Sequence, residues 1–168
     1  MQELYWIEAP MAGQLAIMPR PRGGDWLPQD VRRISQAGVT VLASLLESQE
    51  VVELELDSLP GSCLDAGIQF RSFPIPDRGV PSSMTETREF LATLNAEVDG
   101  GAAVALHCRM GIGRSSMIAA AILVSHGLSV SDAFSRIQNA RGVHVPDTME
   151  QERWVERFRA LSTPGTPT

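Results

Sequence analysis

The chain has 168 residues, enough for one domain with an adequate core, and its 43% hydrophobic and 20% charged residues are ordinary for a water-soluble globular protein. A net charge of −6 argues against a nucleic-acid partner held through phosphate contacts, and no run of about 18 apolar residues is available to cross a membrane. All 14 basic residues are arginine, so Schiff-base lysine chemistry and the lysine of a Walker loop are excluded by inventory, and any phosphate site must use Arg.

The opening MQELYWIEAPMAGQLAIM is acidic where a secretory leader would be basic and carries no unbroken apolar core, so export is not expected. Within it, Tyr5 to Ile7 and Leu15 to Met18 predict two short strands separated by Pro10 and Gly13, which can pair as a hairpin. Pro28 and Gly38 bracket a helix over Gln29 to Ala37, and Val39 to Leu45 then reads as a buried strand. Glu47 to Leu56 has helical character with acidic residues in its first turn, and Ile68 to Phe73 predicts another strand, stopped by Pro74 and Pro76.

Ser82 or Ser83 caps a predicted helix running to about Val98, and after the Asp99-Gly100-Gly101 turn Ala102 to Leu106 reads as a central strand. From Ser115 the run SSMIAAAILVSH is apolar throughout, which predicts a helix buried on several sides and ended by Gly127. Two further helices are expected near Ser131 to Ala140 and Asp147 to Leu161. The alternation of strands and helices predicts an α/β fold, a single domain over 1–161 with a central, mostly parallel sheet flanked by helices. Residues 162–168 lack any face to pack and are expected to form a flexible tail. Cys63 and Cys108 are too few for a disulfide scaffold and lack zinc-site spacing, so a reducing cytoplasm and a metal-free chain are expected.

The chemistry concentrates between the central strand and the buried helix. Cys108 and Arg114 are separated by five residues, Arg109-Met110-Gly111-Ile112-Gly113, with His107 before them and Ser115 after. The pair alone is a weak signal, whereas the glycines and the strand-loop-helix setting make it strong. A thiol at its reference pKa of ~8.5 is a few per cent ionised at neutral pH, and bringing one to ~5.5 requires ~4 kcal/mol. A helix terminus supplies at most ~2 kcal/mol, so the rest falls to Arg114 and to loop N–H groups. Gly111 and Gly113 tolerate positive φ and so allow those groups to turn inward as a nest for phosphate oxygens. Arg114 presents a planar fork for two of the oxygens. Ser115 is either a donor to sulfur or an ordinary helix-start serine. His107 points away from the nucleophile's side of the strand, so it is either an organiser of the loop or a satisfied core histidine, and not the base.

HCRMGIGRS resembles the signature loop of the protein tyrosine phosphatase superfamily. FPIPDRGVPS upstream and RGVHVPDTMEQ downstream resemble the acid loop and the water-positioning loop of its dual-specificity, kinase-associated-phosphatase-like branch, small bacterial members included. The resemblance spans roughly Val39 to Phe158 and implies the cysteine phosphatase fold. It also implies a two-step reaction: Cys108 attacks phosphorus, a cysteinyl-phosphate forms, and water releases phosphate with neither metal nor cofactor. By the same resemblance Asp77 is the general acid and then the base for water, although its residues alone would make it a turn residue beside Pro76 and Gly79. Gln151 matches a water-positioning glutamine, and Thr148-Met149-Glu150-Gln151 is equally a capping box. Glu50, or less readily Glu47, is placed to hold Arg114, as an acidic residue does in related enzymes, or is simply a solvated helix start.

The implied activity is a phosphatase acting on phosphotyrosine, with phosphoserine and phosphothreonine in range, on phosphorylated proteins or peptides, in a cytoplasmic monomer with no membrane partner. Arg109 beside the nucleophile slightly favours acidic substrates. Cys63 is considered as a resolving thiol against the simpler reading of a buried apolar residue. Three rival readings stand beside this one: a catalytically weak phosphate-binding module, a phosphatase of non-protein phosphomonoesters, and sulfur transfer on a cysteine loop.

Overall fold

Successive side chains of a strand face opposite ways, so Leu15 and Ile17 enter one apolar layer while Ala16 and Met18 enter the other. That split organises the molecule, whose computed structural model describes residues 3–162. The elements in chain order are β1 (Tyr5–Ile7), β2 (Gln14–Met18), α1 (Leu27–Gln36), β3 (Val41–Ser44), α2 (Ser48–Glu53), α3 (Leu59–Asp65) and β4 (Gln69–Ser72). They continue with α4 (Met84–Asp99), β5 (Ala103–His107), α5 (Arg114–Ser125), α6 (Val130–Arg141) and α7 (Met149–Ser162).

The five strands lie in the order β1-β2-β5-β3-β4. β2, β5, β3 and β4 run parallel, and β1 closes one edge as an antiparallel hairpin partner of β2. Helices α4 to α7 cover one face, burying Leu91, Leu94, Phe134, Ile137, Trp154 and Phe158. Helices α1 and α3 cover the other through Leu27, Val31, Ile34 and Leu59. The expected α/β architecture with a mostly parallel sheet is therefore observed.

The register matters most for function. Met18 and Ser44 both pair with His107, so β2, β5 and β3 end level with one another. Their outgoing segments meet at the carboxyl edge of the sheet, the usual ligand face of such folds. β5 is buried along its whole length, and α5 is buried from Arg114 to Leu123. The loop between them is thus held at both ends by deeply buried elements.

Three details differ from expectation. The stretch after α2 contains a second helix, α3, because Pro60 sits comfortably in a first helical turn and Leu59 and Cys63 supply an inward face. The last helix begins at Met149, leaving Asp147 in the turn before it. Ser162, expected as the first residue of a tail, closes α7, and its hydroxyl donates to the Phe158 carbonyl at 2.8 Å. The remainder of that segment, 163–168, lies outside the described residues. Among the described residues no helix is long and apolar enough to cross a membrane.

Candidate active site

Leaving β5, the chain sinks Cys108 to 3% exposure and then turns sharply over five residues. Its carbonyls are tied from outside. Arg109 O accepts from the Arg20 N–H at 3.2 Å, and Arg141 donates to Gly111 O at 3.0 Å and to Met110 O at 3.3 Å. The two ends of a trans peptide point in opposite directions, so the N–H groups of Met110, Gly111 and Ile112 face the other way. None of these three donates to a group among the described residues. Arg141 is itself stacked on Tyr5, 4.2 Å above the ring.

The two loop glycines have different causes. Gly111 adopts φ +67, and an added Cβ would lie 2.6 Å from both Met18 O and Pro19 N. Gly113 has φ −82, so the positive φ expected of it is absent. Its constraint is space: a Cβ there would collide with Asp147, lying 3.0 Å from its Cγ. Gly113 is also the N-cap of α5 and supplies no side chain to the helix start, which leaves the terminal N–H groups of an α-helix open to an anion.

Arg114 begins α5 and is 2% exposed. Its Nη1 donates to Glu50 Oε2 at 2.7 Å, to Ile75 O at 3.0 Å and to Leu45 O at 3.4 Å. Its Nη2 donates to Glu50 Oε1 at 2.9 Å and to Asp77 Oδ1 at 3.0 Å. Glu50 also accepts from the Glu47 N–H at 2.9 Å, so one carboxylate both caps α2 and orients the guanidinium. Burial alone would push the Glu50 pKa up, but the hydrogen bonds from Arg114 and Glu47, with the Arg114 charge, hold it at about 2. Glu50 rather than Glu47 therefore meets Arg114.

Cys108 Sγ lies 3.3 Å from Ser115 Oγ, both buried. His107 is fully buried, with Nδ1 3.3 Å from the Cys108 carbonyl. Burial lowers its pKa to about 4, the bond to the Cys108 carbonyl countering only in part. The imidazole is thus neutral at pH 7, and because a carbonyl can only accept, Nδ1 carries the proton. Asp77, 55% exposed, stands over Arg114 on the Pro76-Asp77-Arg78 turn. Ile112 packs against the core, while Met110 projects 60% exposed at the rim.

Gln151 is fully buried and uses both ends of its amide. Oε1 accepts from the Asp147 N–H at 3.1 Å and the Thr148 N–H at 3.3 Å, and Nε2 donates to Gly79 O at 3.1 Å. Thr148 Oγ1 accepts the Gln151 N–H at 3.2 Å, completing the capping box. The side chain thereby joins the Asp147 turn to the Asp77 turn.

Two expectations are corrected. Arg109 is not a free cation at the mouth: Nε bonds Glu50 Oε1 at 3.3 Å and Nη2 bonds Glu53 Oε2 at 3.2 Å, because α2 presents two carboxylates one turn apart. Cys63 lies in the apolar layer of α1 and α3, across the sheet from the layer holding Cys108, and burial pushes its thiol up to about 11. It cannot serve as a resolving partner from there. Arg141 and Asp147 escaped the sequence reading, since a helix-terminal arginine and a pre-helix aspartate carry no motif of their own.

A cysteine and an arginine joined by a five-residue loop, between a central parallel strand and a buried helix, define the protein tyrosine phosphatase class. A family model described as Tc-R-P, polymorphic toxin system, DSP-PTPase phosphatase, matches residues 16–128, and the chain belongs to that family of dual-specificity-type phosphatases. It is 26% identical over 137 residues to cyclin-dependent kinase inhibitor 3 of Rattus norvegicus, covering 79% of this chain and 63% of that protein. The chain thus spans less than two thirds of that relative's length. It is 30% identical over 95 residues to protein tyrosine phosphatase type IVA 3 of Mus musculus, covering 55% of this chain and 53% of that one. Solved structures sharing the fold include kinase associated phosphatase with its catalytic cysteine replaced by serine, at a TM-score of 0.87, 19% identity and 95% coverage of both chains. PTPMT1 in complex with PI(5)P superposes at a TM-score of 0.74, with 19% identity and coverage of 94% and 96%.

Proposed function

We propose that the chain hydrolyses phosphomonoesters through a cysteinyl-phosphate on Cys108, with phosphotyrosine in proteins or peptides as the preferred substrate and phosphoserine and phosphothreonine within reach. The observation that carries this reading is the outward tethering of the loop carbonyls beside a guanidinium held by Glu50. Phosphate enters the loop against the N–H groups from Met110 to Gly113 and against Arg114. The incoming dianion competes with Asp77 for Nη2 of Arg114, so binding frees the carboxylate, which takes a proton from solvent and then delivers it to the leaving oxygen. Ser115 steadies the sulfur at 3.3 Å when it departs from phosphorus in the second step. His107 holds the Cys108 carbonyl and stays out of the proton transfers.

Two features favour a protein substrate over a polyanionic lipid headgroup. The chain has no lysine, and the arginine next to the nucleophile is engaged by Glu50 and Glu53. A headgroup bearing extra phosphates would meet that acidic pair. The exposed Met110 offers instead an apolar contact for an aromatic ring at the rim. Comparing a phosphotyrosyl peptide, a phosphothreonyl peptide and short-chain PI(5)P at equal concentration tests this. The reading expects kcat/KM for the phosphotyrosyl peptide to exceed that for the lipid by at least about tenfold, the discrimination of ~1.4 kcal/mol. Preference for the lipid would overturn it.

A further inference from the structure

Arg109, the first residue after the nucleophile, directs its side chain to α2, where Glu50 and Glu53 stand one helical turn apart and both accept from it. Its Nε donates to Glu50 Oε1 at 3.3 Å, the same oxygen to which Arg114 Nη2 donates at 2.9 Å. The other oxygen, Oε2, accepts from Arg114 Nη1 at 2.7 Å and from the Glu47 N–H at 2.9 Å. All four lone-pair positions of the Glu50 carboxylate are thus filled, and two cations share one of its oxygens. Charges therefore alternate from Glu53, 65% exposed, through Arg109 and Glu50 to Arg114, 2% exposed.

A guanidinium paired with a single carboxylate is a neutral unit with little attraction left for a dianion. With Arg109 included, two cations face the Glu50 carboxylate and the cluster beneath the loop stays cationic. Glu53 cancels little of that charge, because at its exposure water and salt screen it. The shared oxygen matters again when ligand arrives. Phosphate entering the loop draws Nη2 of Arg114 toward itself, and Arg109 Nε keeps Oε1 satisfied where an unpaired carboxylate oxygen is costly.

We propose that Arg109 is a positioning residue for phosphate binding, an inference that rests on the phosphatase reading above. Acting through Glu50, it keeps Arg114 oriented and leaves the Arg114 charge available to the ligand. A simple strap between α2 and the loop would depend on the outer bond to Glu53 as much as on the inner one. A charge acting through Glu50 depends on the inner bond alone, and Glu53 works against it.

Steady-state hydrolysis of p-nitrophenyl phosphate, with vanadate as competitor, separates charge from strap. Arg109→Gln keeps a donor and loses the charge, so KM and the vanadate inhibition constant should both rise about fivefold to tenfold. Its kcat should stay within about threefold of the parent's, because the lost interaction is made alike in the ground and transition states. Arg109→Lys keeps the charge and should hold both constants within about threefold of the parent's. Glu53→Gln breaks only the outer bond, and both constants should match the parent's or fall. Constants within twofold of the parent's in Arg109→Gln overturn the inference. So does a tenfold rise in Arg109→Lys, or a rise in Glu53→Gln, and these two variants decide the matter should Arg109→Gln fold poorly. Each such failure leaves the phosphatase reading intact, whereas a parent without vanadate-sensitive turnover removes both.

Discussion

Arg114 and Glu50 meet as two parallel forks, Nη1 to Oε2 at 2.7 Å and Nη2 to Oε1 at 2.9 Å, both side chains almost wholly withdrawn from solvent. Removing one partner strands the other, which costs about 3–5 kcal/mol for a buried pair. Glu50→Ala should therefore lower unfolding free energy by that order and raise KM for an aryl phosphate more than tenfold, because the guanidinium loses its orientation. Glu50→Gln, which keeps the shape and one acceptor, should fall between. Urea unfolding alongside steady-state kinetics checks both, and parent-like KM in Glu50→Ala would show that Arg114 is oriented by other groups.

His107 gives stability a pH dependence of definite sign. The unfolded chain takes up a proton near the ordinary value of 6.5, whereas buried His107 resists protonation until about 4. Stability is thus full above 6.5 and declines as pH falls toward 4, by an amount of the order of 3 kcal/mol from this group. Glu50 adds a second decline, beginning below its ordinary 4.5 and continuing toward about 2, because the folded carboxylate stays ionised. Urea midpoints measured from pH 4 to 7.5 should show the first slope in the parent and a flatter one in His107→Gln. Equal slopes would remove His107 as the cause.

Gly111 is constrained twice, by φ +67 and by the backbone of Met18 and Pro19. Gly111→Ala should displace the loop and lose about 10²–10³ in kcat/KM, the range set by one misplaced anion donor. Gly61→Ala is the matched control, since a Cβ there meets open space. Vanadate inhibition should weaken in the first and hold in the second. Unchanged vanadate affinity in Gly111→Ala would contradict the loop geometry.

Asp77→Asn keeps an acceptor for Arg114 Nη2 and loses the transferable proton. Turnover should fall by about 10²–10⁴, and the deficit should grow with the basicity of the leaving group, from p-nitrophenyl to phenyl phosphate. A deficit independent of leaving group would assign Asp77 a role other than acid.

Much of this was legible in the amino-acid order. Ala102 to Leu106 and the run after Ser115 are continuous apolar segments bounded by turn residues, and they became β5 and α5 within one or two residues. Local pattern also carried the Ser83 cap, whose hydroxyl accepts the Glu86 N–H at 3.2 Å. Helix α3 is not announced by the sequence, where Pro60 and Gly61 are adjacent helix breakers, and Leu59 and Cys63 show a common inward face only in the packed layer with α1. The outward ties from Arg20 and Arg141 to the loop join segments far apart in the chain, so no local pattern announces them. For the same reason the sequence marks Gly113 only as a conformational glycine, whereas Asp147, its neighbour across space, fills the position that a side chain would take.

The central claim is that Cys108 forms and breaks a bond to phosphorus. Turnover of an aryl phosphate by Cys108→Ser, measured beside the parent with vanadate as competitor, tests it most directly. The account predicts that the parent is active and vanadate-sensitive and that the variant loses at least about 10⁴ in kcat, as loss of a covalent nucleophile does. Turnover in Cys108→Ser close to the parent's would contradict it.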